Sequence, residues 1–449
     1  RWIDAEGRKP DTYQNYLKRV GDRLPFKIQE QYQSADINGK NYHIVINESL
    51  YPNIDSILTE YISDLESEGY AVTTFTTSGG QPQDLRNHLF LQLSSGMDGC
   101  LFIGDLPVVW YYLSSSGEQF PTDLYYMDLD GIWGDSDEDG VFDSHSGSTE
   151  PEIWLGRLTA SPLTYGGYSE AELVNRYLER VHQYRLRNIT NSRKGLVYID
   201  DDFVGDADEW YEDMKLIYND VDLFTEETQT NGDNYRLCLV SGYEWIQVHV
   251  HSSPSGHYFS APPEYNNWVN SAELPGIEPD ALFYSLYACS NARYTSANYM
   301  GGWYIFSPGS GLGVLGSTKS GAMLHYGDFY APLDQNTCLG EGFKQWASQW
   351  METNPDWFYG LTLLGDPTLT ILRDLAFSAY QVDDDNLQSN GNGNGQIDAG
   401  EQIELIVELI NNNIIDFNDV SATLNTNDPY VSLIDSSENF GNIPAGRTV

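Results

Sequence analysis

Short apolar runs alternate with amphipathic segments along most of the chain. Apolar side chains recur at helical spacing from Ile54 to Leu65, and stretches 83–93 and 169–186 also read as helices. Between them lie apolar runs with the length of buried strands: 42–46, 71–75, 99–104, 195–200, 243–250, 281–288 and 311–317. Strands separated by helices of this length predict a parallel sheet with helices on both faces. Since the pattern restarts near residue 195, we predict two α/β halves, 39–192 and 193–372.

Both ends of the chain depart from this pattern. Residues 1–38 are polar and weakly patterned, and we interpret them as an N-terminal extension or the remnant of a pro-segment. Near residue 373 an Asn/Gly-rich hinge begins, and period-two alternation follows it in "QIELIVELI" and "VSATLNTNDPYVSLI". This pattern predicts an all-β sandwich of the immunoglobulin type over 373–449. It stops before such a sandwich is complete, so we expect a longer natural chain that attaches to a cell surface or to secretion machinery through its C-terminal region.

Charge narrows the range of partners. The 449 residues include 66 acidic and 23 basic side chains, a net charge of -43. A field of this sign repels nucleic acid and anionic membranes, so neither is an expected partner. No apolar run approaches the roughly 18 residues that span a bilayer. The four cysteines lack metal-ligand spacing, which argues against a zinc site and leaves room for a reactive thiol. We expect a globular protein that is secreted or displayed at the cell surface.

An acidic loop in the hinge has the spacing of a calcium site. In "NGNGNGQIDAGE" (390–401), oxygen-bearing side chains occupy loop positions 1, 3, 5, 9 and 12, and Gly395 occupies position 6. This is the ligand pattern of an EF-hand loop with Asn in place of the first Asp. The alternative is a flexible Asn/Gly linker. The predicted ligands are Asn390, Asn392, Asn394, Asp398 and Glu401.

A second acidic loop, "DSDEDGVFD" (135–143), repeats the first part of that pattern. Its predicted calcium ligands are Asp135, Asp137, Asp139 and Asp143, with Gly140 at the turn. Position 12 is Ser146, so the last acid would have to come from Asp128, Asp130 or Glu150. Without a cation these carboxylates would repel one another, although a solvated loop is the alternative. Both sites would be structural Ca²⁺ sites.

A histidine and a cysteine follow two of the predicted strands. His251 ends the apolar run "WIQVHV", and Cys289 ends "LFYSLYA". Parallel α/β sheets bind ligands beyond the carboxyl ends of their strands, which places both side chains at such an edge. A thiol nucleophile, an imidazole that moves protons and accessible backbone amides are the parts that acyl transfer needs. His249 lies two residues before His251 and points to the same face, so either could be the base; the strand terminus favours His251.

These segments resemble the gingipain-like cysteine peptidases of family C25, which have a caspase-like fold. The resemblance rests on "TDLYYMDLDG", "PEIWLGRL", "VHSSPSGH", "LYACSNAR", "GVLGSTKSG" and "GLTLLGDPTLTI", and covers roughly 40–372. It implies a caspase-like α/β/α sandwich in two halves, and a trailing immunoglobulin-like domain also fits the family layout.

The resemblance also implies roles for individual residues. Cys289 matches the nucleophile and His251 the catalytic histidine, and Glu152 matches an acid that orients the histidine. Ser252 stands where glycine normally follows the histidine, so its side chain could narrow the oxyanion hole. We expect His257 to shape the cleft from a loop. Trp303 could cover the specificity pocket, whose candidate walls are 301–306 and 316–321, or could belong to the core.

The leading hypothesis is a secreted cysteine endopeptidase that acts on protein or peptide substrates through a Cys/His dyad and a thioester. A transpeptidase on the same fold is the first alternative. The second is a catalytically inactive, calcium-stabilised binding module. It is supported by Ser252 and by the acidic surface.

Overall fold

The structure is a computed structural model, and it describes residues 2–21, 24–35, 39–321, 324–372, 375–386, 388–411, 416–426, 428–444 and 446–449. The chain divides into two compact units, 1–370 and 371–449. The predicted domain boundaries at 39 and 373 adjoin residues outside the described ranges, namely 36–38 and 373–374.

The described helices and strands follow the sequence pattern closely. The helices are α1 (Tyr13–Val20), α2 (Asp55–Ser67), α3 (Pro82–Leu93), α4 (Leu124–Met127), α5 (Glu170–Arg185), α6 (Ala207–Met214), α7 (Gly232–Cys238), α8 (Leu274–Ile277), α9 (Met300–Phe306), α10 (Tyr326–Asp334), α11 (Leu339–Trp350) and α12 (Pro355–Phe358). The strands are β1 (Lys27–Gln33), β2 (Asn41–Asn47), β3 (Ala71–Ser78), β4 (Met97–Ile103), β5 (Trp110–Leu113), β6 (Glu118–Pro121), β7 (Ile132–Gly134), β8 (Ser144–Ser146), β9 (Trp154–Leu158), β10 (Lys194–Ile199), β11 (Asp220–Phe224), β12 (Trp245–Ser253), β13 (Gly256–Tyr258), β14 (Trp268–Asn270), β15 (Phe283–Ala288), β16 (Gly313–Ser317), β17 (Leu361–Gly365), β18 (Leu375–Asp383), β19 (Glu404–Asn411), β20 (Phe417–Thr423) and β21 (Ser437–Ile443).

One large sheet forms the core of the first unit, in the order β1-β3-β2-β4-β9-β17-β16-β15-β12-β10-β11. Strands β3, β2, β4, β9 and β17 are parallel to one another, and so are β16, β15, β12, β10 and β11. The two groups meet at β16 and β17, which pair antiparallel. The two predicted halves therefore share one sheet, because β17 from the second half lies beside β9 of the first.

Helices cover both faces of this sheet, as predicted. On β15, Tyr284 packs its ring against Tyr304 of α9 at a centroid distance of 4.4 Å. The next residue, Ser285, points to the other face, where its hydroxyl lies 2.9 Å from that of Tyr330 in α10. The large parallel-sheet core thus agrees with the α/β class expected from the sequence.

A buried ion pair joins β9 to the segment that precedes α4. Arg157 of β9 donates to Asp123 through Nε and Nη2, at distances of 3.0 and 2.5 Å. Asp123 also accepts from the hydroxyls of Tyr294 and Thr362, so four donors surround one carboxylate. Since both ion-pair partners are almost fully buried, these hydrogen bonds must offset the desolvation of both charges. Tyr294 follows Cys289 by five residues, so the pair also supports the loop after that cysteine.

The second unit contains two antiparallel ladders, β18–β19 and β20–β21. Its small core consists of Leu409, Val420 and Ile443, with partly buried apolar neighbours such as Phe417. The period-two pattern therefore forms strands, as expected. The immunoglobulin-like arrangement stays a prediction.

The N-terminal segment lies against the first unit. Helix α1 begins at its N-cap Thr12, and Tyr13 and Tyr16 pack on Trp110. Strand β1 pairs antiparallel with β3 and forms one edge of the sheet. Whether residues 1–38 derive from a pro-segment stays a prediction.

Candidate active site

His251 and Cys289 lie at the ends of neighbouring parallel strands. The ladder between β12 and β15 pairs His249 with Tyr287 and ends at the pair Val250 and Ala288, so His251 and Cys289 occupy the next position on each strand. Adjacent strands are about 4.8 Å apart. The ring of Phe203 contacts both His251 and Tyr287, at centroid distances of 4.9 and 5.3 Å. The geometry thus brings the predicted nucleophile and base side by side.

The turn after Cys289 is strained and firmly held. Ser290 has φ of 53°, a left-handed conformation that non-glycine residues rarely adopt. Its amide donates to the carbonyl of Lys319 at 2.9 Å, and the amide of Ala292 donates to Ser317 at 3.0 Å. The Asn291 side chain donates to the carbonyl of Ser253. These bonds fix Cys289 between β12 and β16, and they engage the Ser290 amide with protein rather than with a substrate oxyanion.

Ser252 links the two strand ends. Its hydroxyl donates to the carbonyl of Cys289 at 2.7 Å and is fully buried. The side chain that replaces glycine after the histidine therefore points to the main chain of the neighbouring strand, where it supports the nucleophile.

The acid beside His251 is Asp202, which the sequence interpretation missed. Its Oδ2 lies 2.7 Å from His251 Nε2, and its side chain is 54% exposed. The hydrogen bond with His251 is the main cause that lowers the pKa of Asp202 below its usual range. A signal was present in the sequence, because "IDDDF" follows β10, the strand next to β12, and so reaches the same edge of the sheet.

Glu152 occupies a different place from the one predicted. Its Oε2 accepts from the amides of Leu129 and Asp130, at 2.5 and 3.3 Å. Burial, together with the neighbouring carboxylates Asp128 and Asp130, raises the pKa of Glu152 to about 7. The assignment of Glu152 as the acid that orients the histidine is therefore corrected in favour of Asp202, which holds His251 directly.

The other two histidines of the motif belong to the core. His249 is fully buried, stacks on Trp210 at 3.7 Å and accepts a hydrogen bond from the Gln247 side chain. Burial lowers the pKa of His249 well below its usual value, which removes it as an alternative base. His257 lies in strand β13 rather than in a cleft-shaping loop, and its Nε2 contacts the Tyr304 hydroxyl at 2.9 Å. Burial lowers the pKa of His257 to about 3.

Both candidate pocket walls contact the turn after the cysteine: Lys319 of 316–321 accepts from the amide of Ser290, and Gly301 of 301–306 donates to the carbonyl of Asn291, each at 2.9 Å. Trp303 is fully buried in α9, where it stacks on Tyr165, so it does not cover a pocket. Lys319 is buried next to the Cys289 turn, and its ammonium donates to the carbonyl of Ser320 at 3.0 Å. Burial lowers the pKa of Lys319, although nearby Glu118, Asp356 and Cys289 act in the opposite direction.

An N-terminal segment lies across this end of the sheet. The amide of Ile3 donates to the carbonyl of Ser252 at 3.0 Å, and Trp2 forms a parallel bridge with Ser252. The buried carboxylate of Asp4 accepts from the hydroxyls of Ser253 and Ser255 at 2.8 and 2.7 Å. Trp2 and Ile3 also line an open cleft whose other walls are Asp202, His251, Tyr258 and Ser260.

The first acidic loop along the chain brings carboxylates together. It connects β7 and β8, and ligand oxygens of Asp135, Asp137 and Asp139 lie within 4.8 Å of one another. Gly140 has φ of 87°, in keeping with the sharp turn expected there. Asp143 accepts instead from Ser136. Asp128 and Asp130, which were considered as further ligands, form a separate cluster with Glu152.

The loop in the second unit is arranged around Asp384 and Asp398. The side-chain amides of Asn392 and Asn394 both lie 2.9 Å from Asp398 Oδ2, and Asp384 accepts from the amide of Asn394 at 3.1 Å. Gly395 has φ of 71°, again as the turn requires. Among the described residues, buried Oε2 of Glu401 has no hydrogen-bond partner, which fits a cation ligand. Asn390 joins Gln402 through main-chain bonds.

Comparison with known proteins decides the family. The sequence model of Peptidase family C25 matches residues 31–372. The chain belongs to peptidase family C25. This C25 chain is similar in fold to the Arg-specific cysteine proteinase gingipain R, with a TM-score of 0.56 and 11% identity over 84% of this chain and 95% of that one. It is similarly related to the complex of the pro- and mature domains of RgpB from Porphyromonas gingivalis (TM-score 0.55, 10% identity, 82% of this chain and 96% of that one). No curated protein sequence matches the chain.

Membership of family C25 confirms two expectations from the sequence, namely the resemblance itself and the class of enzyme, a cysteine peptidase. The parallel-sheet core also agrees with the gingipain fold. No helix among the described residues has the length and apolar character needed to cross a bilayer.

Proposed function

We propose that this C25 cysteine peptidase cleaves peptide bonds with Cys289 as nucleophile and His251 as general acid and base. The observation that carries the proposal is the pairing of β12 and β15, which ends one residue before both side chains. Both side chains lie at the same edge of the sheet, where Cys289 is 5% exposed and His251, 8% exposed, lines the open cleft.

The reaction proceeds through a thioester. The Cys289 sulfur attacks the carbonyl carbon of the substrate, and the carbonyl oxygen becomes an oxyanion that backbone amides stabilise. His251 takes the thiol proton during this attack and delivers it to the leaving amine as the carbon–nitrogen bond breaks. Water, deprotonated by His251, then attacks the thioester and releases the acid product together with the thiol.

Asp202 positions the imidazole in this scheme. Because it binds Nε2, it leaves Nδ1 as the ring nitrogen that faces the reaction. Ser252 and the hydrogen bonds of the 290–292 turn hold the sulfur side of the pair. The site therefore consists of two reacting groups, Cys289 and His251, and of surrounding residues that fix their positions.

A thiol-directed probe tests the nucleophile. We expect an iodoacetamide reagent to label Cys289 faster than Cys100, Cys238 or Cys338, since burial raises the pKa of those three thiols. The Cys289→Ala variant should lose the fast label and all peptidase activity. Activity that survives in Cys289→Ala, or labelling that is equally slow at all four cysteines, would refute the assignment.

Hydrolysis is the proposed outcome because the chain belongs to a peptidase family, and peptide transfer on the same fold is its alternative. Cleavage of a peptide library in the presence of an added amine separates the two, because a transpeptidase would incorporate the amine into its product. An inactive binding module is disfavoured because both predicted reacting groups converge.

We also propose two structural Ca²⁺ sites. Asp135, Asp137 and Asp139 would hold one ion, and Asp398, Glu401 and the oxygens of the Asn-rich loop would hold the other. Support for the first comes from three converging carboxylates, and for the second from the buried oxygen of Glu401. Calcium of millimolar concentration outside a cell suits sites of this kind, and we retain secretion or surface display as the setting.

A further inference from the structure

A third group of converging ligand atoms includes the proposed catalytic histidine, His251. Asp200, Asp202 and His251 each contribute an atom to a set whose members lie within 4.8 Å of one another. Asp200 and Asp202 come from the end of β10, and His251 comes from the neighbouring strand β12. This set adjoins the open cleft lined by Asp202, His251 and Ser260, so an ion could reach it from solvent.

The state of Asp200 points to a missing ligand. Its residue is fully buried, and Oδ1 accepts from the amide of Ser260 at 2.9 Å. Its Oδ2 is also buried and has no hydrogen-bond partner among the described residues. A buried carboxylate oxygen without a partner is costly, and a bound cation would remove that cost.

We propose that Asp200, Asp202 and His251 form a binding site for a divalent cation of the zinc class that inhibits the peptidase reversibly. One imidazole and two carboxylates form a donor set that zinc accepts readily, whereas calcium and magnesium favour all-oxygen sites. The surplus of negative charge around the three successive aspartates, on a chain of net charge -43, concentrates cations there.

The cation takes the place of a proton. His251 Nε2 and Asp202 Oδ2 now share a hydrogen bond of 2.7 Å, whereas two ligands of a tetrahedral zinc ion are about 3.3 Å apart. The half-exposed Asp202 side chain must therefore move outwards by about half an ångström. The metal takes the lone pair of Nε2, so the single proton of the neutral imidazole moves to Nδ1. With Nδ1 protonated, His251 cannot accept the proton of the thiol, and turnover stops.

The inhibitory effect rests on the proposed catalytic role of His251, but the binding of the ion does not. Binding is therefore measured on the full chain carrying Cys289→Ala, so that the active-site sulfur cannot act as a ligand and no turnover is required. Zinc chloride is titrated by calorimetry in the presence of millimolar Ca²⁺, which occupies the acidic loops. We expect a zinc site whose affinity falls at least about tenfold when Asp200→Asn is added.

Asp64→Asn is the matched control. Asp64 also bonds a histidine, since its Oδ2 lies 2.8 Å from His182 Nδ1, but it lies outside the proposed site. We expect Asp64→Asn to leave this zinc affinity unchanged. Unchanged affinity in Asp200→Asn, or an equal loss in both variants, would overturn the proposal. Asn retains the Oδ1 acceptor for Ser260, and the melting temperature of each variant reports whether it folds.

Activity provides the second measurement. With Cys289 intact, zinc should inhibit cleavage and a chelator should restore it. In Asp200→Asn, compared with its own rate without zinc, half-maximal inhibition should need at least about tenfold more zinc. If Cys289→Ala binds zinc in a way that depends on Asp200, but the protein with Cys289 intact cleaves no peptide, the proposed catalytic function alone is refuted. Normal cleavage with zinc inhibition that Asp200→Asn does not alter would refute the metal site alone.

Discussion

Replacing Asp202 with Asn tests how the proposed catalytic histidine, His251, is held. The carboxylate makes one 2.7 Å hydrogen bond to His251 Nε2, and a hydrogen bond to a charged group contributes about 1.5–3 kcal/mol. Because the Asp202 side chain is 54% exposed, water can replace part of this interaction, and we take the lower end of the range. A loss of about 1.5 kcal/mol corresponds to about a tenfold decrease in kcat.

The assay is steady-state cleavage of a peptide substrate, with kcat and KM determined separately. We expect kcat to decrease and KM to stay the same, since Asp202 acts through His251. Glu152→Gln serves as the comparison, because Glu152 binds the amides of Leu129 and Asp130, and it should leave kcat within about twofold. A decrease of a thousandfold in Glu152→Gln, or no change in Asp202→Asn, would show that the acid has been misassigned.

Three further predictions concern stability. Burial raises the pKa of Glu170 to about 7, above its unfolded value, so ionisation of this carboxyl destabilises the fold increasingly as pH rises from about 4.5 to 7. Glu170→Gln should therefore raise the free energy of unfolding by about 1–3 kcal/mol at about pH 8 and hardly at all at about pH 4. Urea titrations at both pH values measure this difference. The helix-capping variant Glu172→Gln should not be stabilising at either pH, and a Glu170→Gln gain of equal size at both would contradict the sign. Asp123→Asn should lower the free energy of unfolding, measured in urea, by about 3–5 kcal/mol because it leaves Arg157 buried without a charged partner. Asp11→Asn, at the more exposed pair with Arg19, should lower it by under about 1 kcal/mol. Similar losses in the two variants would refute the argument from burial. When calcium is present at about a hundred times its Kd, chelating it should lower the free energy of unfolding by about 2.7 kcal/mol for each site and lower the melting temperature. An unchanged melting temperature would count against both calcium loops.

The sequence predicts the sheet well because its strands are apolar on both faces. The run "YHIVI" lies inside β2, and the apolar stretches that contain His251 and Cys289 form or adjoin two neighbouring strands. What sequence periodicity cannot provide is lateral order: nothing in it shows that β17 pairs with both β9 and β16. The place of β17 beside β9 depends on contacts between residues about 200 positions apart, as in the pairing of Leu364 with Arg157, and the reversal of direction depends on the antiparallel pairing of β17 with β16.

The site shows the same division. Cys289 and His251 were found because each ends an apolar strand, which is a local feature. Asp202 was missed and Glu152 was chosen because the acid that meets a histidine depends on which strand lies beside it. His257 was placed in a loop, and Trp303 was left open between pocket and core, for a related reason. Burial of a polar ring among aromatic side chains, as for His257 beside Tyr304, is a property of tertiary packing.

The antiparallel junction of β16 and β17 has a consequence for how such an enzyme can diversify. Because the two parallel groups run in opposite directions, segments that lead into β9 and β17 reach the same rim of the sheet as the residues that follow β12 and β15. The hairpin β7–β8 precedes β9, and α12 precedes β17. Insertions or substitutions in these segments can change the surface beside the site, while the carboxyl ends of β12 and β15, which carry His251 and Cys289, stay the same.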